Sequence, residues 1–124
     1  AFQDATAMPN VHFLGRVDDL APYYLQATAV VAPILSGSGL KTKTVEALRY
    51  GKYVIGSAEA FEGIPILNYP GAGCECHNTS DYISLINSLK VAKTNEASLR
   101  LFDEQFSTAT QLKRFNEFIM STAQ

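Results

Sequence analysis

The sequence predicts an α/β fold, a Rossmann-like parallel sheet with flanking helices, on three observations. Short apolar runs alternate with stretches of helical periodicity, the order that right-handed βαβ units produce. Two of these runs, at 29–32 and 53–56, are apolar on both faces, as strands are when helices cover both sides of a sheet. A glycine-serine loop follows the first of them directly and opens into a helix, and in such sheets ligands bind at the carboxyl ends of the strands.

Taken in order, Val11, His12, Phe13 and Leu14 read as a short strand stopped by Gly15. Asp18 and Asp19 offer N-caps to a helix in which Leu20, Tyr23, Tyr24 and Ala27 fall at i, i+3, i+4 and i+7. Pro22 sits in its first turn, where a missing N–H costs little. Residues 29–32 form a second strand ended by Pro33. The loop 34–39 then leads into a helix of about ten residues, with Leu40, Thr44, Ala47 and Leu48 on its inner face and Gly51 as its stop. Residues 53–56 make a third strand, the run Asn68-Tyr69-Pro70-Gly71 marks a turn, and 73–76 read as a weaker fourth strand. Thr79, Ser80 and Asp81 cap a helix that places Tyr82, Ile83, Leu85, Ile86 and Leu89 inside. A single last helix, from about Asn95 to Ser121, repeats apolar residues at Leu99, Phe102, Phe106, Leu112, Phe115 and Ile119. Tyr23, Tyr24 and the phenylalanines at helical spacing are expected in the core, and His12, which alternates with core positions in its strand, is expected to be structural, not catalytic.

Composition removes several function classes. The 124 residues allow one domain, and 47% apolar with 18% charged residues describes a folded globular chain. A net charge of -2 gives neither the basic face of a nucleic-acid binder nor a polybasic anchor for anionic lipid. No apolar run approaches the roughly 20 residues that span a bilayer. Cys74 and Cys76 are too few and too close to staple a fold, so a reducing cytoplasm is the expected compartment. The chain opens at Ala1 without methionine or a signal-like stretch, which reads as a piece of a longer polypeptide. The run Cys74-Glu75-Cys76-His77 carries metal-ligating types, but structural zinc sites use two such pairs at wider spacing. Strand alternation sends both cysteines to one face, where a small apolar residue fits, so they are expected to be buried thiols. Asn78-Thr79-Ser80 is a formal glycosylation sequon, and the same residues serve as a helix start.

The chemistry-bearing feature is the stretch 36–43, Ser-Gly-Ser-Gly-Leu-Lys-Thr-Lys, between a strand and a helix. Glycines allow close approach of backbone to ligand, and the free N–H groups of a helix start favour a phosphate. The lysines add full positive charge, and Glu46 can accept hydrogen bonds from sugar or ribose hydroxyls. One loop could thus hold a phosphate and a polyol together; the alternative is a solvated turn before a surface helix with ordinary lysines. The stretch does not follow the P-loop pattern.

Several motifs resemble one family in order and spacing. They are Val11-x-Phe13-Leu14-Gly15-x-Val17-Asp18-Asp19-Leu20, then Tyr23-Tyr24-x-x-Ala27, then Gly37-Ser38-Gly39-Leu40-Lys41-x-Lys43-x-x-Glu46-Ala47-Leu48-x-x-Gly51-Lys52-x-Val54-Ile55-Gly56, and Ala60-x-Glu62-Gly63-Ile64. Over roughly residues 10 to 90 the chain is similar to the C-terminal, donor-binding domain of GT-B glycosyltransferases of the family 4 type.

The resemblance implies part of a two-domain enzyme that moves a hexose-type sugar from a nucleotide diphosphate to a glycan or lipid-linked acceptor, with retention at the anomeric carbon. By the same resemblance Arg16 and Val17 lie beside the base. Ser38, Gly39, Leu40 and Lys43 cradle the diphosphate and donor sugar, and Glu46, the second glutamate of the family's Glu-x7-Glu motif, meets the ribose. Glu59 and Glu62 support the site. No catalytic residue is assigned, and neither metal nor cofactor is required. The first motif glutamate falls at Ser38, and the usual Phe-Gly after it is replaced by Leu40-Lys41. The family's first two strands, which belong between the strand at 11–14 and that at 30–33, are not in the sequence, nor is the acceptor domain. The expectation is an inactive piece of a cytoplasmic enzyme whose full-length form touches the membrane peripherally. The rivals are a non-catalytic α/β module for a phosphorylated ligand or partner protein, and a GT-B nucleotide-sugar epimerase.

Overall fold

The computed structural model describes residues 8–35 and 41–122. Strands β1 (Ala29–Ala32), β2 (Tyr53–Gly56) and β3 (Gly73–Glu75) run parallel in the order β1-β2-β3. The register pairs Val30 with Val54 and Val54 with Gly73, and sets Val31 opposite Ile55 and Ile55 opposite Cys74. Alternation puts Val30 and Val54 on one face and Val31, Ile55 and Cys74 on the other. The flanking helices are α1 (Ala21–Gln26), α2 (Thr42–Arg49), α3 (Thr79–Ser88), α4 (Glu96–Phe106) and α5 (Thr108–Thr122). The α/β, Rossmann-like class expected from the sequence is the one observed.

The core lies between the Val30–Val54 face, α2 and α4. Ala47, Leu48, Val54, Ala72 and Leu101 are fully buried there, with Phe61, Ile64, Ile66 and Tyr69 closing the cluster. Helix α2 presents Thr44, Ala47 and Leu48 inward as its spacing requires. It stops as the sequence indicates. Gly51 has φ +72°, its N–H donates to the Leu48 carbonyl at 2.9 Å, and the Lys52 N–H donates to Ala47 at 3.0 Å. Those two bonds close a Schellman motif, which needs the left-handed conformation glycine supplies.

Below the amino end of β2 a polar cluster replaces apolar packing. Lys52 is 1% exposed, and its Nζ donates to the Lys93 carbonyl at 2.7 Å. Burial pushes its pKa down and the neighbouring Lys93 adds to this. The Ser98 hydroxyl interacts with the carbonyls of Lys52 at 2.8 Å and Ala72 at 3.2 Å, and the Asn95 N–H donates to Gly51 at 2.8 Å. These bonds seat the start of α4 under the sheet.

Five expectations are corrected. Residues 11–14 form no strand; Val11, Phe13 and Leu14 are 40–51% exposed, and His12 is exposed with them. A strand needs a ladder partner, and among the described residues the free edge of β1 is not joined to this run. The strand expected at 73–76 runs from Gly73 to Glu75 and is the third among the described residues, not the fourth. Helix α1 begins after Leu20 without a side-chain cap, the Asp19 carboxylate instead accepting the Ala21 N–H at 3.0 Å. Tyr24 is buried, but Tyr23, Phe13, Phe115 and Phe118 are exposed. Helix α3 is capped by Asn78, whose Oδ1 accepts the Asp81 N–H at 2.9 Å, and none of its residues is fully buried.

The fifth correction concerns the last helix, which is two. Ser107 donates to the Asp103 carbonyl at 2.7 Å and accepts the Thr110 N–H at 3.2 Å, so one hydroxyl ends α4 and caps α5. The apolar spacing ran through this break, but Leu112, Phe115 and Ile119 face solvent.

Gly73 generates a prediction. A Cβ there would sit 2.3 Å from the Val54 carbonyl oxygen, a ladder atom that cannot retreat. Gly73→Ala should lower stability by about 2–3 kcal/mol through overpacking. At Gly63, where φ is +78° and nothing lies within 4 Å, alanine should cost only about 1–2 kcal/mol of backbone strain. Urea unfolding of the two variants against the wild type checks the difference.

Candidate functional site

Because all three strands are parallel, their carboxyl ends open on one edge. β1 exits through Pro33 toward residues 36–40, β2 through Ser57 into a 3-10 turn at Glu59–Phe61, and β3 through Cys76 and His77. The turn after β2 is packed tightly. A Cβ on Gly56 would meet the Ala60 Cβ at 2.9 Å and the Ala32 carbonyl at 3.2 Å, so glycine is required where the turn folds over the end of β1. The Ser57 hydroxyl hydrogen-bonds the Ile34 carbonyl and accepts the Ala60 N–H at 3.4 Å. Ser57 thereby ties the exit of β1 to that of β2 and fixes the segment leading into the loop. Sequence reasoning missed this residue; its signal is a serine directly after a strand-ending glycine.

Helix α2 begins at this edge. Lys41 is buried, its carbonyl accepting the Val45 N–H at 3.0 Å. Lys43 is exposed in the first turn and Glu46 is half-buried one turn later, so the two share a face at i, i+3 spacing. Ser38, Gly39 and Leu40, expected beside them, lie outside the described residues. Arg16 is exposed and Val17 half-buried in the extended segment before α1, after Gly15 at φ +66°. They do not sit at the end of a strand, which is where the expectation placed them. Glu59 is half-buried and Glu62 exposed on the turn after β2.

Glu46 has two surroundings. On one side it borders a groove of about 600 Å³ between α2 and the α4–α5 pair, lined by Val45, Arg49, Phe102, Phe106 and Gln111. On the other is Tyr24, whose ring stacks on Tyr50 at 5.2 Å between centroids and 7° between planes. Burial, then the Glu46 carboxylate, then Tyr50 push the Tyr24 hydroxyl above its ordinary value.

Among the described residues no group of three His, Cys, Asp or Glu side chains converges as a metal site. Both cysteines are free thiols; Cys76 is buried as expected, whereas Cys74 is only half-buried. His77 instead reaches Glu75, Nε2 to Oε2 at 3.3 Å. No helix among the described residues is long and apolar enough to cross a membrane.

The parallel sheet places the start of α2, with Lys43 and Glu46 one turn apart, at its carboxyl edge, where α/β sheets bind ligands. Residues 1–89 match the family described as glycosyl transferases group 1, and the chain belongs to that family. It is a glycosyltransferase domain of the GT-B kind, containing part of its Rossmann-like sheet. The match ends with α3, so α4 and α5 lie beyond it. No curated protein and no solved structure matches the chain.

The raised pKa of Tyr24 sets a pH dependence. The native state holds the phenol neutral, so its contribution to stability is fully present below the ordinary value of 10.0 and is lost as pH rises through the higher native value. Unfolding midpoints measured from pH 8 upward should fall above pH 10, and Tyr24→Phe should reduce that fall.

Proposed function

We propose that the chain is the donor-binding, C-terminal domain of a retaining, family 4-type glycosyltransferase that transfers a hexose-type sugar to a glycan or lipid-linked acceptor. The observation that carries this reading is the group 1 family match spanning the α2 junction, where Lys43 and Glu46 lie one helical turn apart at the carboxyl edge.

The roles follow from charge and geometry. As the glycosidic bond of the donor loosens, negative charge collects on the departing diphosphate. The N–H groups at the start of α2 and the Lys43 ammonium lie where they can stabilise it. These groups make a metal ion unnecessary for neutralising the leaving group. Glu46 accepts hydrogen bonds from the ribose hydroxyls, and Arg16 and Val17 border the base. Ser38, Gly39 and Leu40 meet the diphosphate and sugar, Ser38 as a hydroxyl partner where a carboxylate is usual. Acceptor binding and the remaining catalytic groups belong to a separate acceptor domain. In this reading the enzyme works in the cytoplasm on polysaccharide or lipid-linked precursors, the full-length protein meeting the membrane peripherally, and nucleic acid is not a partner.

Titration of the chain with UDP, GDP and ADP, followed by backbone amide shifts, tests the proposal. One nucleotide should give saturable shifts at Arg16, Lys43 and Glu46. Lys43→Ala should weaken binding about 10- to 100-fold, the loss expected for charge-assisted hydrogen bonds. Glu46→Ala should erase the preference for the ribonucleotide over its 2′-deoxy form. Unchanged affinity in Lys43→Ala, or shifts confined to surfaces away from α2, would count against the donor site and favour a partner-binding module.

A further inference from the structure

Strand β3 ends in a pair of thiols that the transferase reading does not use. Cys74 stands in register with Ile55, and two residues on Cys76 returns to the same face of the sheet. The ladder extends to Cys76, whose N–H donates to the Gly56 carbonyl at 2.7 Å, so both residues are held on one extended backbone. The Cys74 thiol donates to the Glu75 carbonyl at 3.6 Å, and burial first, then the neighbouring Cys74, push the Cys76 thiol above its ordinary value. With Asp81, Ser84, Leu85 and Ser88 they line an open cleft of about 390 Å³ between β3 and α3. Cys74 is half-buried at its mouth and Cys76, 3% exposed, forms its floor.

We propose that Cys74 and Cys76 form a two-coordinate site for a soft monovalent cation, copper(I). Thiolates are soft ligands and select such a cation over the hard divalent ions. The donor count points the same way. A structural zinc ion takes four ligands in tetrahedral array, and no group of three His, Cys, Asp or Glu side chains converges among the described residues. The two carboxylates that line the cleft with them, Glu75 and Asp81, have other partners. His77 lies against Glu75 at 3.3 Å, and the Asp81 carboxylate accepts the His77 backbone N–H at 2.9 Å. Two sulfurs on one face of one strand supply the donor count that a two-coordinate ion takes. On binding, each thiol gives up its proton, two sulfur–metal bonds form and two protons leave to solvent. The metal enters and remains as the monovalent ion, so no electron is transferred.

The test is an anaerobic titration of the reduced chain with copper(I) buffered by a chromophoric chelator such as bicinchoninate. The wild type should withdraw one equivalent, and X-ray absorption of the complex should show two sulfur neighbours. Cys74→Ser and Cys76→Ala should each weaken retention at least 100-fold, while His77→Ala and Glu75→Gln should stay within twofold of the wild type. Far-UV circular dichroism establishes that each variant is folded, and the sulfur count in the wild type stands whether or not a variant folds. Copper left entirely on the chelator, a sulfur count other than two, or equal retention by a folded single-cysteine variant would overturn the site. Loss on replacing His77 would overturn the two-sulfur donor set. None of these results bears on nucleotide binding at α2.

Discussion

The parallel ladder around β2 is the constraint on which the rest of the molecule depends. Parallel neighbours cannot be joined by tight turns, so each strand must send its chain across the sheet before the next begins. That requirement gathers the strand exits on one edge and the returns on the other. The exits carry Ser57 and the thiols of β3, while the returns carry Lys52, Ser98 and Asn95. Polar groups at the two ends consequently do different work. At the returns Lys52 and Ser98 bond backbone carbonyls, and at the exits several remain open to solvent. The ladder also leaves no room for side chains at two places, which is why Gly56 and Gly73 occupy them.

Much of this was legible in the sequence where the signal was local. The runs at 29–32 and 53–56 are apolar on both faces, and they became strands at those residues. Gly51 was readable as a helix stop because a Schellman motif is set by a few consecutive residues. What failed depended on partners distant in the chain. Residues 11–14 have strand composition, but composition does not supply a neighbouring edge. The faces of α3 and of α5 have helical spacing, but spacing cannot say whether anything lies opposite.

The break at Ser107 was hidden for another reason. A serine inside an apolar repeat reads as a tolerated polar residue, and only its two hydrogen bonds turn it into a terminus and a cap. That Lys43 and Glu46 share one face at the start of a helix was readable because a helix start and a short spacing are written in one dimension. Ser57 was not, because its importance comes from a carbonyl twenty-three residues earlier, at Ile34.

The break has a thermodynamic consequence for the chain as a whole. Helix α4 contributes Leu101 and Ser98 to the buried interior, whereas α5 contributes no fully buried side chain and is tied back through Gln111 and Arg114 to Gln105. The cooperative folding unit therefore closes near Phe106. Amide protons of α5 should exchange with water by fraying of that helix alone, and those of β2 and α4 through global opening of the domain. Ser107 marks the border between two regimes of motion within one continuous run of helical sequence.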